Sequence, residues 1–237
     1  MKEPEVIFEN DDFIVLNKPA GLMVHAARVS ERRREDTSRA AESTLVDWLS
    51  ARYPKIKNVG DDPFLRPGIV HRLDKATSGV MIVAKTQIAF ERLKKLFQEH
   101  RMKKTYFAIV HGVPKNKQGT IDAPIGIKNG SLKRSIHSSK MAKSAVTEYA
   151  VVKKVAGEGN EACALLKIHP KTGRTHQIRV HLASIGNPIV GDTLYGRKIA
   201  SAPRLMLHAA AIAFSDDNGN SFEFEAPLPP DFTYPQG

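Results

Sequence analysis

Two charge-dense stretches set in apolar sequence hold the residues best able to do chemistry. The first is Gly68-Ile69-Val70-His71-Arg72-Leu73-Asp74-Lys75-Ala76-Thr77-Ser78-Gly79, and the second is Thr172-Gly173-Arg174-Thr175-His176-Gln177-Ile178-Arg179-Val180-His181-Leu182. Each places ionisable side chains and turn residues at the edge of an apolar run, where reactive sites concentrate. The first stretch has one carboxylate, Asp74, with Arg72 and Lys75 beside it. An aspartate in that company is anionic at neutral pH. It suits a nucleophile, a metal ligand or a base for a weakly acidic proton, and it does not suit a general acid. Taken alone, Asp74 reads equally as a turn residue bonding its own backbone, and Arg179 as a guanidinium snorkelling at a helix flank.

The surrounding pattern predicts the elements that position these residues. Val6–Phe8 and Phe13–Leu16 flank a polar turn and predict an opening β-hairpin, which Pro19-Ala20-Gly21 ends. Residues 44–53 predict a short helix with Ser43 as its N-cap, stopped by Pro54. Val80–Ala84 reads as a buried strand, which places Asp74 at a strand end, facing a loop. Ala89, Leu93, Leu96 and Phe97 recur at helical spacing and predict a helix over 86–100 packed on a sheet. Residues 105–110, 144–154, 162–169, 204–214 and 221–225 read as further strands, the middle pair joined through Gly157–Asn160 and the last pair through residues 216–220. In the second stretch Ile178, Leu182 and Ile185 recur at helical spacing, with Thr175 as the expected N-cap and Gly186 at the C-terminal cap. Arg179 is thereby expected on the helix's second turn. Strands joined mostly by hairpins, with few helices, indicate an α+β fold with a largely antiparallel sheet flanked by helices. With no Gly/Ser linker or internal repeat, residues 1–237 are expected to form a single domain.

The run His71–Gly79 resembles the signature of the RNA pseudouridine synthases, in the branch acting on ribosomal and transfer RNA. The resemblance extends, in order, to Asn17-Lys18-Pro19-Ala20-Gly21-Leu22, Lys104-Thr105-Tyr106, Gly173–His181 and Gly191-Asp192-Thr193-Leu194-Tyr195-Gly196. It implies an extended mixed sheet with the active-site cleft crossing its middle, and a reaction that needs no cofactor or metal. It also implies roles: Asp74 as the catalytic carboxylate, Arg179 facing it, Tyr106 stacking on an extruded uracil, and Arg72 occupying the gap that the base leaves. A guanidinium can take a carboxylate in a bidentate pair and keep it aimed. Many relatives carry a small N-terminal RNA-binding domain. Here the opening hairpin starts near residue 6, and the catalytic domain's own surface is expected to find the RNA.

Composition agrees with a polyanionic partner. Lys and Arg number 36 against 25 Asp and Glu, a net charge of +11. Lys128, Lys133, Arg134, Lys140 and Lys143 fall in one Gly/Ser-containing segment without an acid, as expected of a flexible arm laid along phosphates. The cluster from Arg28 to Arg39 includes acids and reads as either a second contact or a solvated loop. The lone cysteine, Cys163, reads as a small buried hydrophobe. No signal-like apolar core or membrane-length run is present, and a cytoplasmic protein is expected. Other readings are weaker. Leu73 separates Arg72 from Asp74, and without a Gly-rich loop or an Asp-Phe-Gly triplet the first stretch is not a kinase catalytic loop. His176 and His181 lie about 140° apart on a helix and are read as structural or RNA-facing. The rivals to an RNA pseudouridine synthase are a non-catalytic RNA-binding or RNA-folding factor on the same scaffold, and a glycosylase that would release uracil.

Overall fold

The computed structural model describes residues 2–26, 43–128, 133–157, 161–196 and 202–232. Its strands are β1 (Glu5–Glu9), β2 (Phe13–Lys18), β3 (Ser78–Ala84), β4 (Lys103–His111), β5 (Gln118–Asp122), β6 (Gly126–Ile127), β7 (Arg134–Ser135), β8 (Val146–Ala156), β9 (Ala162–Pro170), β10 (Leu207–Ser215) and β11 (Ser221–Glu225). The helices are α1 (Leu45–Arg52), α2 (Gln87–Gln98) and α3 (Gln177–Ser184), with a 3₁₀ turn at Pro54–Asn58. Nine strands form one sheet in the order β1-β2-β3-β10-β4-β9-β8-β5, with β11 paired to β10. Among its pairings only β3–β10 is parallel. The fold is α+β with a mixed, mostly antiparallel sheet.

The parallel contact sits at mid-sheet and depends on one glycine. Gly79 has φ +116°, and a Cβ there would run into the carbonyl of Ala209 on β10. Only a residue without a side chain permits that approach. β3 is buried along its whole length, as its unbroken apolar run requires. On the β3 side of the sheet, α2 buries Ala89, Phe90, Leu93 and Leu96, and Thr86 caps its first turn by accepting from the Ala89 N–H at 3.1 Å. α1 is capped by Thr44 and not by Ser43. Asp47 reciprocates at the third helical position in a capping box, which a start at Ser43 would leave with Val46 there.

Buried residues gather in two principal cores. One joins β2, β3, α1 and α2, and the other joins β4, β9, α3 and the segment around Ile189. Leu73 is anchored in the first core and Ala76 packs on the second, so Asp74 is suspended at their seam. Tyr106 on β4 touches both. Cys163 is fully buried, as a small hydrophobe would be. Among the described residues no helix is long and apolar enough to cross a membrane.

Candidate active site

Asp74 lies in the turn before β3 and lines a cleft of about 490 Å³ with Arg72, Lys104, Tyr106, His176 and Arg179. It is the only acid among the described residues lining that cleft. Two ties hold its turn. The Asp74 carbonyl accepts from the Thr77 N–H at 3.1 Å, and the next carbonyl, that of Lys75, accepts from the Gly21 N–H at 2.8 Å. His71 fixes the motif's other end: its Nε2 accepts from the Ile82 N–H at 3.0 Å while its ring stacks on Phe97 at 4.5 Å. Burial, with Lys104 nearby, pushes the His71 imidazole down to about 3, so it stays neutral and can accept.

Lys18 is the buried prop beneath this turn. Its Nζ donates to the carbonyls of Pro19 (2.9 Å), Leu22 (2.9 Å) and Lys75 (3.3 Å), and its side chain is fully buried. Burial outweighs the raising effect of the Asp74 charge and, with Arg204 nearby, brings the ammonium down to about 7. Lys18→Met takes the ammonium from all three carbonyls and leaves that of Lys75 with only the Gly21 N–H. It is expected to destabilise the fold by roughly 2–4 kcal/mol, read as a lowered thermal midpoint, and an unchanged midpoint would show that the turn stands without it.

Arg179 reaches Asp74 across 105 residues of sequence, its Nη1 donating to Oδ2 at 3.0 Å. The expected bidentate pair with Asp74 is not what forms. The guanidinium spends its fork on Asp192, Nε to Oδ2 and Nη2 to Oδ1, both at 2.8 Å, which leaves a single bond for Asp74. The Asp192 side chain is fully buried, whereas Asp74 opens to the cleft with 20% of its side chain exposed. Burial pushes the Asp192 carboxyl up, but the Arg179 bonds and charge and the N–H groups of Leu194 and Tyr195 outweigh it and hold the group below the usual carboxylate range. Gly191 makes this possible: at φ +76° it passes the Arg204 carbonyl where a Cβ would collide, and so turns Asp192 inward.

The chain enters α3 differently from the sequence expectation. Thr175 is not the N-cap. His176 occupies that position in the left-handed region (φ 58°, ψ 18°), and Arg179 lies on the first turn instead of the second. The reason is Gln177, whose amide donates to the Val146 carbonyl (2.9 Å) and Thr147 Oγ1 (3.0 Å) while its Oε1 accepts from Thr172 Oγ1 (2.6 Å) and the Arg174 N–H (2.9 Å). That buried amide delays the helix. His181 is structural, bonded to Thr147 Oγ1 and the Ala123 carbonyl. His176 is not a bystander: its Nε2 lies 3.8 Å from Asp74 Oδ2. Gly186 follows the helix at φ +82°, in the expected C-terminal place.

Tyr106 lines the cleft from β4. Burial pushes its phenol up, and the Asp74 charge pushes in the same direction, which keeps the hydroxyl protonated. Lys104, two residues before it, donates to the Thr172 carbonyl at 3.1 Å, and burial with Arg174 nearby lowers its ammonium to about 8. Arg72 is exposed at the rim, its Nη1 3.4 Å from His25 Nε2.

Residues 129–132 of the basic segment lie outside the described residues, and its described part is held by backbone bonds where the sequence suggests a loose arm. β6 and β7 pair into a ribbon in which the Lys128 N–H donates to the Lys133 carbonyl, the Ile127 N–H to the Lys140 carbonyl, and Ile125 bridges Lys143. The ribbon is moored to the site by the Arg134 N–H, which donates to the Tyr195 hydroxyl at 2.7 Å. Arg134 and Lys143 line a groove with Arg174, which also lines the cleft, so one cationic residue is common to groove and site. The Arg28–Arg39 cluster and residues 158–160 of the β8–β9 connection lie outside the described residues.

Sequence reasoning assigned no role to Asp192, Tyr195, Lys18 or Lys104, and read His176 only as structural or RNA-facing. The signal for most of them was present, since Asp192 and Tyr195 sit in Gly191–Gly196, Lys18 in Asn17–Leu22 and Lys104 beside Tyr106. What those residues hold was not visible in one dimension.

Comparison with known proteins places this geometry. Residues 12–184 match the family model described as RNA pseudouridylate synthase. The chain is 37% identical over 229 residues to an uncharacterised RNA pseudouridine synthase of Bacillus subtilis, covering 96% of this chain and 70% of that protein. An uncharacterised RNA pseudouridine synthase of Aquifex aeolicus is 41% identical over 202 residues, with 85% and 59% covered. The ribosomal large subunit pseudouridine synthase D of Pseudomonas aeruginosa is 37% identical over 247 residues, with 98% and 70% covered. The chain thus spans roughly three-fifths to seven-tenths of the length of these relatives. Among solved structures, human RNA pseudouridylate synthase domain containing 1 superposes with a TM-score of 0.75 at 27% identity, covering 96% of this chain and 84% of that one. The matched span holds Asp74, Tyr106 and Arg179 in the cleft just described, and on those grounds the chain belongs to the RNA pseudouridylate synthase family.

Proposed function

We propose that this protein isomerises uridine to pseudouridine in structured RNA, ribosomal or transfer, as one catalytic domain. The observation that carries the reading is Asp74, the one carboxylate among the described residues lining the cleft, held 3.0 Å from Arg179 at the seam of two cores with an aromatic side chain lining the same cleft. The reaction breaks the bond between uracil N1 and ribose C1′, turns the base, and joins C5 to C1′; C5 gives up its proton and N1 ends protonated, so the product is an isomer. Nothing is oxidised or hydrolysed. A stacked uridine hides its glycosidic bond, so the nucleotide is flipped into the cleft. Tyr106 offers its ring to the flipped base, a stack worth about 1–3 kcal/mol. Arg72 at the rim fills the gap left in the helix. Asp74 acts on the nucleotide, and Arg179 keeps that carboxylate aimed while the entering base displaces water.

Tritium release from RNA labelled at uridine C5, with free uracil monitored in parallel, tests the reading. Release of tritium without uracil is expected. Uracil release would make the protein a glycosylase, and neither product on total RNA from a deletion strain would leave a binding or folding factor.

The ribbon and its neighbours supply the RNA contact. Lys128, Lys133, Arg134, Lys140 and Lys143 carry the positive charge of this segment, and Arg134 and Lys143 line a groove with Arg174, which also lines the cleft. Replacing the Lys133 and Arg134 side chains by alanine keeps the Arg134 N–H bond to Tyr195, because that bond belongs to the backbone. The double variant is expected to bind RNA more weakly and to flatten the salt dependence of binding by up to about two counterions. An unchanged slope would remove this ribbon from the phosphate path.

A further inference from the structure

A chain of hydrogen bonds runs from the basic ribbon to His176, whose ring stops just short of the reacting carboxylate. The Arg134 N–H donates to the Tyr195 hydroxyl at 2.7 Å, the hydroxyl lies 3.0 Å from His176 Nδ1, and His176 Nε2 stands 3.8 Å from Asp74 Oδ2. A phenol has one hydrogen to give and lone pairs to accept with. One lone pair takes the Arg134 N–H, which leaves the hydroxyl hydrogen able to serve His176 Nδ1; in that arrangement the ring proton sits on Nε2. Backbone and packing restrict the ring further. His176 is in the left-handed backbone region, uncommon for a residue with a side chain, and its ring meets Tyr195 edge-on at 5.7 Å. Tyr195 is itself clamped under the Arg179 guanidinium at 5.3 Å.

We propose that His176 is a substrate-contacting residue of the uridine site, a neutral Nε2–H donor whose tautomer is set by Tyr195, and that Tyr195 is a positioning residue tying the RNA-binding ribbon to that donor. The inference rests on the pseudouridine-synthase reading for its substrate, an RNA nucleotide with an acceptor oxygen beside Asp74. Nε2 and Asp74 are too far apart to bond each other. A nucleotide oxygen seated between them, a uracil carbonyl or a ribose hydroxyl, gives the N–H its acceptor. Burial lowers the imidazole's pKa and keeps the ring uncharged; Arg179 and Arg134 push the same way, while Asp74 and Asp192 oppose. A neutral donor can orient an oxygen without adding a cation that would compete with Arg179 for Asp74.

Nitrogen NMR of protein labelled in histidine reads the tautomer directly. The wild type is expected to show His176 protonated on Nε2, and Tyr195→Phe to show mixed tautomers. A wild type protonated on Nδ1, or a tautomer unchanged in Tyr195→Phe, would overturn the inference. Kinetics on C5-tritiated total RNA from a deletion strain read the function. His176→Ala is expected to lose about five- to tenfold in kcat, the size of one hydrogen bond, with little change in KM. His176→Gln, whose amide N–H stands near the Nε2 position, is expected to recover most of it. Full activity in a folded His176→Ala protein, or a Gln variant no better than Ala, would refute the contact. RNA with deoxyuridine, or separately 4-thiouridine, at the modified position identifies the acceptor, since the His176→Ala penalty vanishes with the oxygen it depends on. A wild type that releases no tritium refutes the reaction and the contact together, while the tautomer measurement still decides what Tyr195 sets.

Discussion

Asp74→Ala is expected to lower tritium release from C5-labelled RNA by roughly 10⁴-fold or more, while RNA affinity stays within about twofold or improves. No other acid among the described residues lines the cleft, so no neighbour can take over. Binding draws on cations along the cleft and groove, and removing a negative charge does not weaken the hold on a polyanion. The fold should tolerate the change, because Arg179 keeps its two bonds to Asp192. Asp74→Asn, close in shape, is expected to be equally inert and separates lost charge from lost volume. Equal activity in wild type and either variant would refute the assignment.

Asp192→Ala is the larger structural perturbation, although Asp192 does not line the cleft. It removes both fork bonds of a buried guanidinium and leaves that charge with Asp74 alone. Breaking a buried pair by removing one partner costs roughly 3–5 kcal/mol. Asp74 remains as a partial partner, so the lower end of that range is expected in denaturant unfolding. The freed guanidinium also swings toward Asp74, and activity should fall with stability. The same pair has a pH signature. Asp192 is held below its unfolded value, so its stabilisation is complete above about pH 4 and is lost as pH falls through the folded value. Asp192→Asn should therefore be less stable than wild type at neutral pH and show a shallower loss in acid. A wild-type acid limb unaltered by Asp192→Asn would show that the pair contributes no net stability.

Local pattern was enough wherever a residue's neighbours in sequence were also its neighbours in space. The apolar run of β3 needs burial on both faces, the spacing of Ala89, Leu93 and Leu96 defines one face of α2, and hairpin strands meet across short turns. Capping was legible only in part. Thr44 displaced Ser43 because Asp47 answers it within the same turn, whereas α3 starts late because Gln177 bonds to β8, some thirty residues away. The basic segment reads as an arm from composition, yet Ile125 and Ile127 pin it into a ribbon through backbone bonds.

By itself, the amino-acid sequence determined the α+β class, the order of the motifs and the kinds of side chain available to an RNA-modifying site. It determined these because turn chemistry, apolar period and residue type act over a few positions of chain. Only the tertiary structure decided how the charges are shared. Arg179 meets Asp74 from 105 residues away and gives its fork to Asp192, and Lys18 props the Asp74 turn from 57 residues away. Such partnerships arise from how two cores close on each other, since a buried charge must find every oxygen it needs wherever the packed backbone places it.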